Sequence, residues 1–429
     1  MGFLFLYLLL LILNSLEFVF YEMNTKYPII IIKDNKVKLI KKSKHPWIFS
    51  GALQDIDRYK DYKKGEIVDV VDSKGNFICR GFFNKYSQIA VQVLTRNYNT
   101  IINKDFWNTA LSNAIGRRKI FSENKNTNAY RLVFSSADYL PGLIVDKYAD
   151  YVVIQSNTAG VDNHITDIVD IIDDILKPKG AIIEKSDSNV RKLEKLDNIY
   201  KVWKGSMPFD NKVIIKEHSL NILVDLKDGH KTGFYLDQKD NRLIAGKYAF
   251  KNNVLNCFSY TGAFGLYCLY NKANSVVNID INKKSLDISN KNYQLNFKDN
   301  FSDACSFICD DTFSVLEDMK EQKLKFDLII LDPPKFINKM DDMKAGLKAY
   351  RKLNSLALDL LKREGILMSF SCSYHVGLEL LQKVVFLAAA DINKELYILK
   401  YLYQSQDHPI NINFPESLYL KGLVIQSIN

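Results

Sequence analysis

From residue 254 onward, short apolar runs alternate with longer helical patterns, and this alternation constrains the fold more than any other feature. The runs are Val254 to Cys257, Ser275 to Ile279, Ser306 to Cys309, Asp327 to Leu331 and Gly365 to Ser369. Helical spacing lies between them, notably over Met343 to Lys362. Runs this short suit buried strands better than helices, and strands separated by helices pair in parallel. An α/β fold is therefore expected, with helices on both faces of a parallel sheet and ligands at the carboxyl ends of its strands.

The rest of the chain reads differently. With 429 residues, two or three domains are expected. Residues 23–97 read as a small β domain. It opens with strand-like Ile29 to Ile32 and Val37 to Ile40, joined by a turn at Asp34-Asn35. Residues 98–205 read as α+β, with helices over Phe106 to Phe121 and His164 to Leu176, and residues 206–429 as the α/β domain. Residues 1–22 carry an apolar run from Phe3 to Leu13, too short to span a bilayer and lacking a preceding Lys or Arg. They are either a targeting leader or an over-extended start, with Met23 the true first residue. A cytoplasmic location follows if Met23 starts the chain, and an organelle with bacterial-type ribosomes if the leader is real. No stable membrane association is expected.

A net charge of +9 is consistent with a polyanionic partner. The location of that charge says more than its total. Lys33, Lys36, Lys38, Lys41, Lys42 and Lys44 lead into His45-Pro46-Trp47. Such lysines are either an RNA phosphate surface or the guards of a solvated strand edge. Trp47 is read as core. The six cysteines form no CxxC pair and no zinc-ligand spacing with histidine, so no metal site is expected.

The chemistry concentrates at the strand ends of the last domain. After Val254-Leu255-Asn256 comes Cys257-Phe258-Ser259-Tyr260-Thr261-Gly262, a strand running into a one-glycine turn and a helix. Such a turn offers helix N–H groups to a carboxylate, and Gly262 permits close approach of backbone to a ligand. Asp280 ends the next strand, where an acid can bind both hydroxyls of a ribose. Asp311, after the third, is either an adenine contact or a helix N-cap. Glycine turn and strand-end acids together point to S-adenosylmethionine. Asp332-Pro333-Pro334-Lys335 follows a fourth strand, and its prolines set a rigid loop that aims Asp332 at a flat base. Cys372 lies in Ser371-Cys372-Ser373 after a fifth. A methyl donor needs no thiol, but pyrimidine carbon-5 does. A thiolate adding at carbon-6 makes carbon-5 nucleophilic, while an acid supports the ring nitrogen.

These segments, taken in order, resemble the RlmI family of bacterial large-subunit rRNA cytosine-5 methyltransferases. The resemblance runs from about Lys36 to the C-terminus. It rests on Lys44 to Gly51, Leu140 to Asp146, Glu184 to Asp187, Lys231 to Gln238, Asn256 to Phe264, Leu331 to Phe336, Ser371 to Ser373, Asp407 to Pro409 and Phe414 to Glu416. It implies an N-terminal PUA RNA-binding domain, a central α+β domain and a C-terminal Rossmann-like methyltransferase, with Cys372 as nucleophile. Lys335 stands where many RNA cytosine-5 methyltransferases carry a second cysteine. The segment Lys231 to Arg242 is expected over the donor site, with Asp237 and Arg242 as contacts.

The expected site is thus Cys372 and Asp332 for catalysis. Phe258, Tyr260, Gly262, Asp280, Asp311, Asp332, Asp237 and Arg242 are expected to hold the donor, and Lys41, Lys42, Lys44 and Lys335 the rRNA. A homodimer is a further expectation. Two other functions compete: guanine ring-nitrogen methylation, which needs no thiol, and non-catalytic RNA binding in ribosome assembly.

Overall fold

The structure is a computed structural model and describes residues 26–298, 300–337 and 339–429. The leader and Met23 lie outside the described residues. The chain divides into two compact units. One contains the described residues up to Ile120, Arg131–Met207 and Pro409–Pro415; the other contains Phe121–Tyr130, Pro208–His408 and Glu416–Asn429. Among the described residues, no helix is long and apolar enough to cross a membrane.

The first sheet comprises β1 (Ile29–Ile31), β2 (Trp47–Phe49), β3 (Glu66–Val71), β4 (Phe77–Phe83) and β5 (Ile89–Thr95), in the order β1-β3-β4-β5-β2. The hairpin expected over residues 29–40 is absent. Strand β1 pairs in parallel with β3, and Asp34–Ser43 is a helix. Asp34 in its first turn and Lys41 and Lys42 in its last complement the helix dipole, and Val37 and Ile40, three apart, pack on the sheet core. Trp47 also departs from expectation, being only partly buried. Its indole N–H donates to Ser136 Oγ at 3.3 Å, and its ring packs edge-on against Phe414 with centroids 4.7 Å apart.

A second sheet holds β6 (Ala129–Phe134), β7 (Leu143–Tyr148), β8 (Tyr151–Ser156), β9 (Ile182–Ser186) and β10 (Ile199–Lys204), in reverse order along the sheet. The expected helix over Phe106 to Phe121 is instead Lys104–Gly116 followed by a separate turn, Lys119–Ser122. Arg117 and Arg118 lie between them and both fold onto the buried carboxylate of Asp138, with Arg118 Nη2 at 2.6 Å.

The larger unit contains the hairpin β11 (Lys212–Glu217) and β12 (Leu220–Asp225). Its main sheet contains β13 (Asn253–Cys257), β14 (Ser275–Ile279), β15 (Cys305–Ile308), β16 (Phe326–Leu331), β17 (Leu361–Ser371), β18 (Leu396–Tyr403) and β19 (Lys421–Ser427). The order is β15-β14-β13-β16-β17-β19-β18. The first five are parallel; β19 returns antiparallel to β17, and β18 antiparallel to β19. Both faces are covered. Leu255, Ile329 and Leu367 belong to one core, Val254, Ile330 and Met368 to the other. Burial on both sides explains why these strands read as continuous apolar runs. The strand order reverses between β13 and β16, which opens a crevice at their carboxyl ends.

Candidate active site

The β13 register aligns Cys257 with Ile279 of β14 and Leu331 of β16, so the loops after the three strands leave the sheet side by side. The first loop is strained. Phe258 and Tyr260 have φ of 55° and 48°, which costs roughly 1–3 kcal/mol each and persists only where neighbours enforce it. Tyr260 N–H donates to Asp280 Oδ2 at 2.7 Å, and its hydroxyl donates to Gly233 O at 3.2 Å. His230 stacks on the Tyr260 ring at 4.6 Å. Gly262 has φ of 74°, and an added Cβ would lie 1.9 Å from Ser289 Oγ. The close approach that glycine permits here includes one to the helix Lys283–Phe297. The hydroxyls of Ser259 and Thr261 are buried without a hydrogen-bond partner.

Asp280 leaves β14 with both oxygens engaged by backbone: Oδ2 by Tyr260 and Oδ1 by Asn282 N–H at 2.9 Å. Each oxygen keeps a lone pair for a further donor. Asp311 is the N-cap of the helix Thr312–Glu321, its Oδ2 accepting from Ser314 N–H at 3.1 Å, which is the second of the two roles open to it.

Asp332 and Cys372 follow β16 and β17, adjacent parallel strands in which Leu331 aligns with Ser369. Cys372 Sγ lies 4.0 Å from Pro333 O, so the thiol sits directly against the Asp-Pro-Pro loop. Burial pushes the Asp332 carboxyl up to about 7, helped by the Asp237 carboxylate and opposed by Gln238, Lys231 and Arg242. Burial also raises the Cys372 thiol. Asp332 adds to that, while Lys231 and Lys335 oppose it. These directions place four charged groups, Asp332, Asp237, Lys231 and Lys335, around one sulfur.

The segment Lys231 to Arg242 supplies the opposite wall. Asp237 Oδ2 accepts from Lys231 Nζ at 2.6 Å and from the Tyr419 hydroxyl at 2.5 Å. Burial would raise this carboxyl, but Lys231 and His408 outweigh it and hold it well below the usual carboxylate range. Its other oxygen, Oδ1, is buried and unpartnered. Arg242, expected at the donor, is engaged within the protein. Nε and Nη2 each donate to Glu217 at 2.7 Å, and Nη1 donates to Tyr235 O at 3.0 Å. It anchors the segment to β11. Lys239 and Asp407, both buried and 3.3 Å apart, anchor it further, as does Ser405 N–H to Asp237 O at 2.8 Å.

The fold therefore gathers Cys372, Asp332, Asp237 and Lys335 into one electrostatic group and Phe258, Tyr260 and Asp280 into the neighbouring loop. Lys231, Tyr235, Tyr419 and Lys421 also belong to the first group and were missed from sequence. Burial raises the Tyr235 phenol, with Asp332, Asp237 and Cys372 all contributing. Lys231 and Tyr235 lie within the Lys231 to Gln238 segment; Tyr419 and Lys421 arrive only through the antiparallel return of β19.

Comparison with known proteins accords with this architecture. Residues 30–96 match a PUA-like domain, and residues 191–396 match an S-adenosylmethionine-dependent methyltransferase family. The ribosomal RNA large subunit methyltransferase I of Tolumonas auensis is 40% identical over 397 residues, covering 92% of this chain and 98% of that protein. The protein of the same name from Pseudoalteromonas atlantica is 40% identical over 381 residues, covering 89% and 95%. Among solved structures, a chain described as a SAM-dependent methyltransferase from Streptococcus mutans superposes with a TM-score of 0.80 at 21% identity, over 93% of this chain and all of that one. A methyltransferase complexed with SAH superposes equally well, at 22% identity over 93% and 99%. A β-rich PUA-like domain joined to a Rossmann-like methyltransferase fold, with S-adenosylmethionine as cofactor, places this chain in the ribosomal RNA large subunit methyltransferase I family.

Proposed function

We propose that this chain methylates carbon-5 of a cytosine in large-subunit ribosomal RNA, with Cys372 as covalent nucleophile. The observation that carries this reading is the Cys372 sulfur 4.0 Å from Pro333 O, beside Asp332 at the carboxyl edge of the sheet. When bound, S-adenosylmethionine supplies a methyl group already activated by its sulfonium. The loop after β13 fits such a ligand: buried Ser259 and Thr261 hydroxyls lack partners, and Asp280 keeps acceptor capacity for ribose hydroxyls. Asp280→Ala is expected to weaken S-adenosylmethionine binding at least about tenfold by calorimetry while RNA affinity is unchanged. Equal loss of both would overturn its assignment.

Carbon-5, once activated, takes the methyl group as its bond to the donor sulfur breaks. A base then removes the carbon-5 proton and the Cys372 thiolate is expelled; the residues assigned here supply three of the actions this needs. Cys372, as thiolate, adds its electron pair to cytosine carbon-6, which makes carbon-5 a nucleophile. Asp332, titrating near 7, can donate a proton or hydrogen bond to the ring nitrogen where negative charge collects. Lys335, exposed after the prolines, and Lys41, Lys42 and Lys44 on the small domain would contact phosphates. Lys41 is held only loosely by Asp72 at 3.5 Å. Replacing Lys41, Lys42 and Lys44 with Ala should reduce the salt dependence of RNA binding, lowering the log–log slope by about 2. An unchanged slope would remove these lysines from the interface. Bisulfite mapping of ribosomal RNA from cells with and without the protein tests the reaction. One large-subunit cytosine losing protection is expected, and an unaltered pattern would refute it.

A further inference from the structure

Cys372 is bracketed by buried polar groups that the reaction outlined above does not use. Ser371 and Ser373 flank it, both fully buried, and both hydroxyls lie within hydrogen-bonding distance of the Tyr350 hydroxyl, at 3.0 and 3.3 Å. Directly across the sheet, Ser371 is paired with Lys421 of β19. Lys421 is 3% exposed, and its Nζ donates to Ser373 O at 3.0 Å. Its ammonium thus reaches past Cys372 to grip the backbone one residue beyond it.

A buried lysine is costly unless something compensates its charge. Lys239, the other deeply buried lysine of this unit, has Asp407 at 3.3 Å. Among the described residues no carboxylate pairs with Lys421, and one carbonyl bond does not neutralise an ammonium. Among the described lysines of this unit, the fold accepts that cost beside the sulfur.

We propose that Lys421 is a positioning residue for Cys372, fixing the Ser371–Ser373 segment and supplying the buried positive charge that favours the thiolate. The proposal rests on the covalent reading of Cys372. The thiol loses its proton to water, and the sulfur electron pair that results forms the bond to carbon-6; below about pH 8 Lys421 keeps its own proton. The balance of charges agrees. Burial lowers Lys421 to about 8, the Cys372 thiolate opposes that fall, and Lys335 adds to it. The other charged groups facing the sulfur are Asp332 and Asp237, which disfavour the thiolate, and Lys231 and Lys335, which favour it; the phenols of Tyr235 and Tyr350, both raised, also face it and stay neutral. Lys231 is already paired with Asp237, and Lys335 is exposed. Lys421 is the cation that solvent screens least.

The test is the pH dependence of Cys372 alkylation by iodoacetamide in the full chain, read peptide by peptide by mass spectrometry. Only the thiolate reacts, so the midpoint reports the sulfur's own ionisation. Lys421→Met removes charge and hydrogen bond, Lys421→Gln removes the charge but keeps a donor, and Lys421→Arg keeps both. Met and Gln variants are expected to slow alkylation at neutral pH, where Lys421 is charged, by roughly tenfold, with S-adenosylmethionine affinity retained; Arg should restore it. A neutral-pH alkylation rate in the Gln variant identical to that of the parent would overturn the proposal. The covalent reading fails separately: methylation by a Cys372→Ser chain would refute that reading and leave the alkylation midpoints as they are.

Discussion

Replacing Cys372 with Ser is expected to reduce methyl transfer to ribosomal RNA by at least about 10⁴-fold, with S-adenosylmethionine binding retained. Carbon-5 of cytosine does not attack a methyl group unaided, so the sulfur's addition at carbon-6 is the step that creates the nucleophile. A serine hydroxyl at the same place stays protonated near neutrality. An alcohol ionises so far above a thiol that the neighbouring ammonium groups do not bring it into range. The effect is measured as labelled methyl groups incorporated into RNA under single-turnover conditions, alongside calorimetric donor binding. A Cys372→Ser chain that still methylates would mean that the acceptor is nucleophilic by itself, as a guanine ring nitrogen is.

Asp332→Asn is expected to reduce transfer by about 10²-fold or more, as loss of a general acid does. It should act on Cys372 in the opposite direction. Asp332 is the main charge disfavouring the thiolate, so its neutralisation should let Cys372 alkylate faster at neutral pH while methylation falls. Stability provides a third readout. The Asp332 carboxyl is raised in the fold from its ordinary 3.8 to about 7, so the folded state holds a proton that the unfolded chain releases. Its contribution is therefore fully present below 3.8 and is lost as pH rises through about 7. Above that pH an ionised Asp332 faces Asp237, and Asn should raise stability by about 1–2 kcal/mol after allowance for solvent screening. Thermal melts of both chains from pH 4 to 9 check the sign. Equal gains at every pH would contradict the assigned titration.

The sheet was legible because its strands are buried on both faces. Val254 and Leu255 serve different cores, so the run is apolar without alternation, and the acids and cysteine that matter stand where each run stops. The small domain was harder. Asp34 and Asn35 suit a hairpin turn and a helix start equally, and the choice is made by β1 pairing with distant β3 and by Val37 and Ile40 reaching the core. Arg242 could be seen as a shared charged residue, but its partner Glu217 is on another strand and nothing local announces the pair. Lys421 was invisible for the same reason. Only the antiparallel register of β19 against β17 sets it opposite Ser371, and no spacing in the chain reveals that neighbour.

The central claim is a bond between Cys372 and a cytosine, and a mechanism-based trap tests it most directly. With 5-fluorocytosine in the RNA, carbon-5 carries no proton to release after methyl transfer, so the carbon–sulfur bond cannot be expelled and the adduct should persist. Intact mass spectrometry should then find a protein–RNA species that depends on S-adenosylmethionine, with the bond mapped to Cys372. Methylation of ordinary RNA by the same preparation, with no adduct at Cys372 on the fluorinated RNA, would contradict the account.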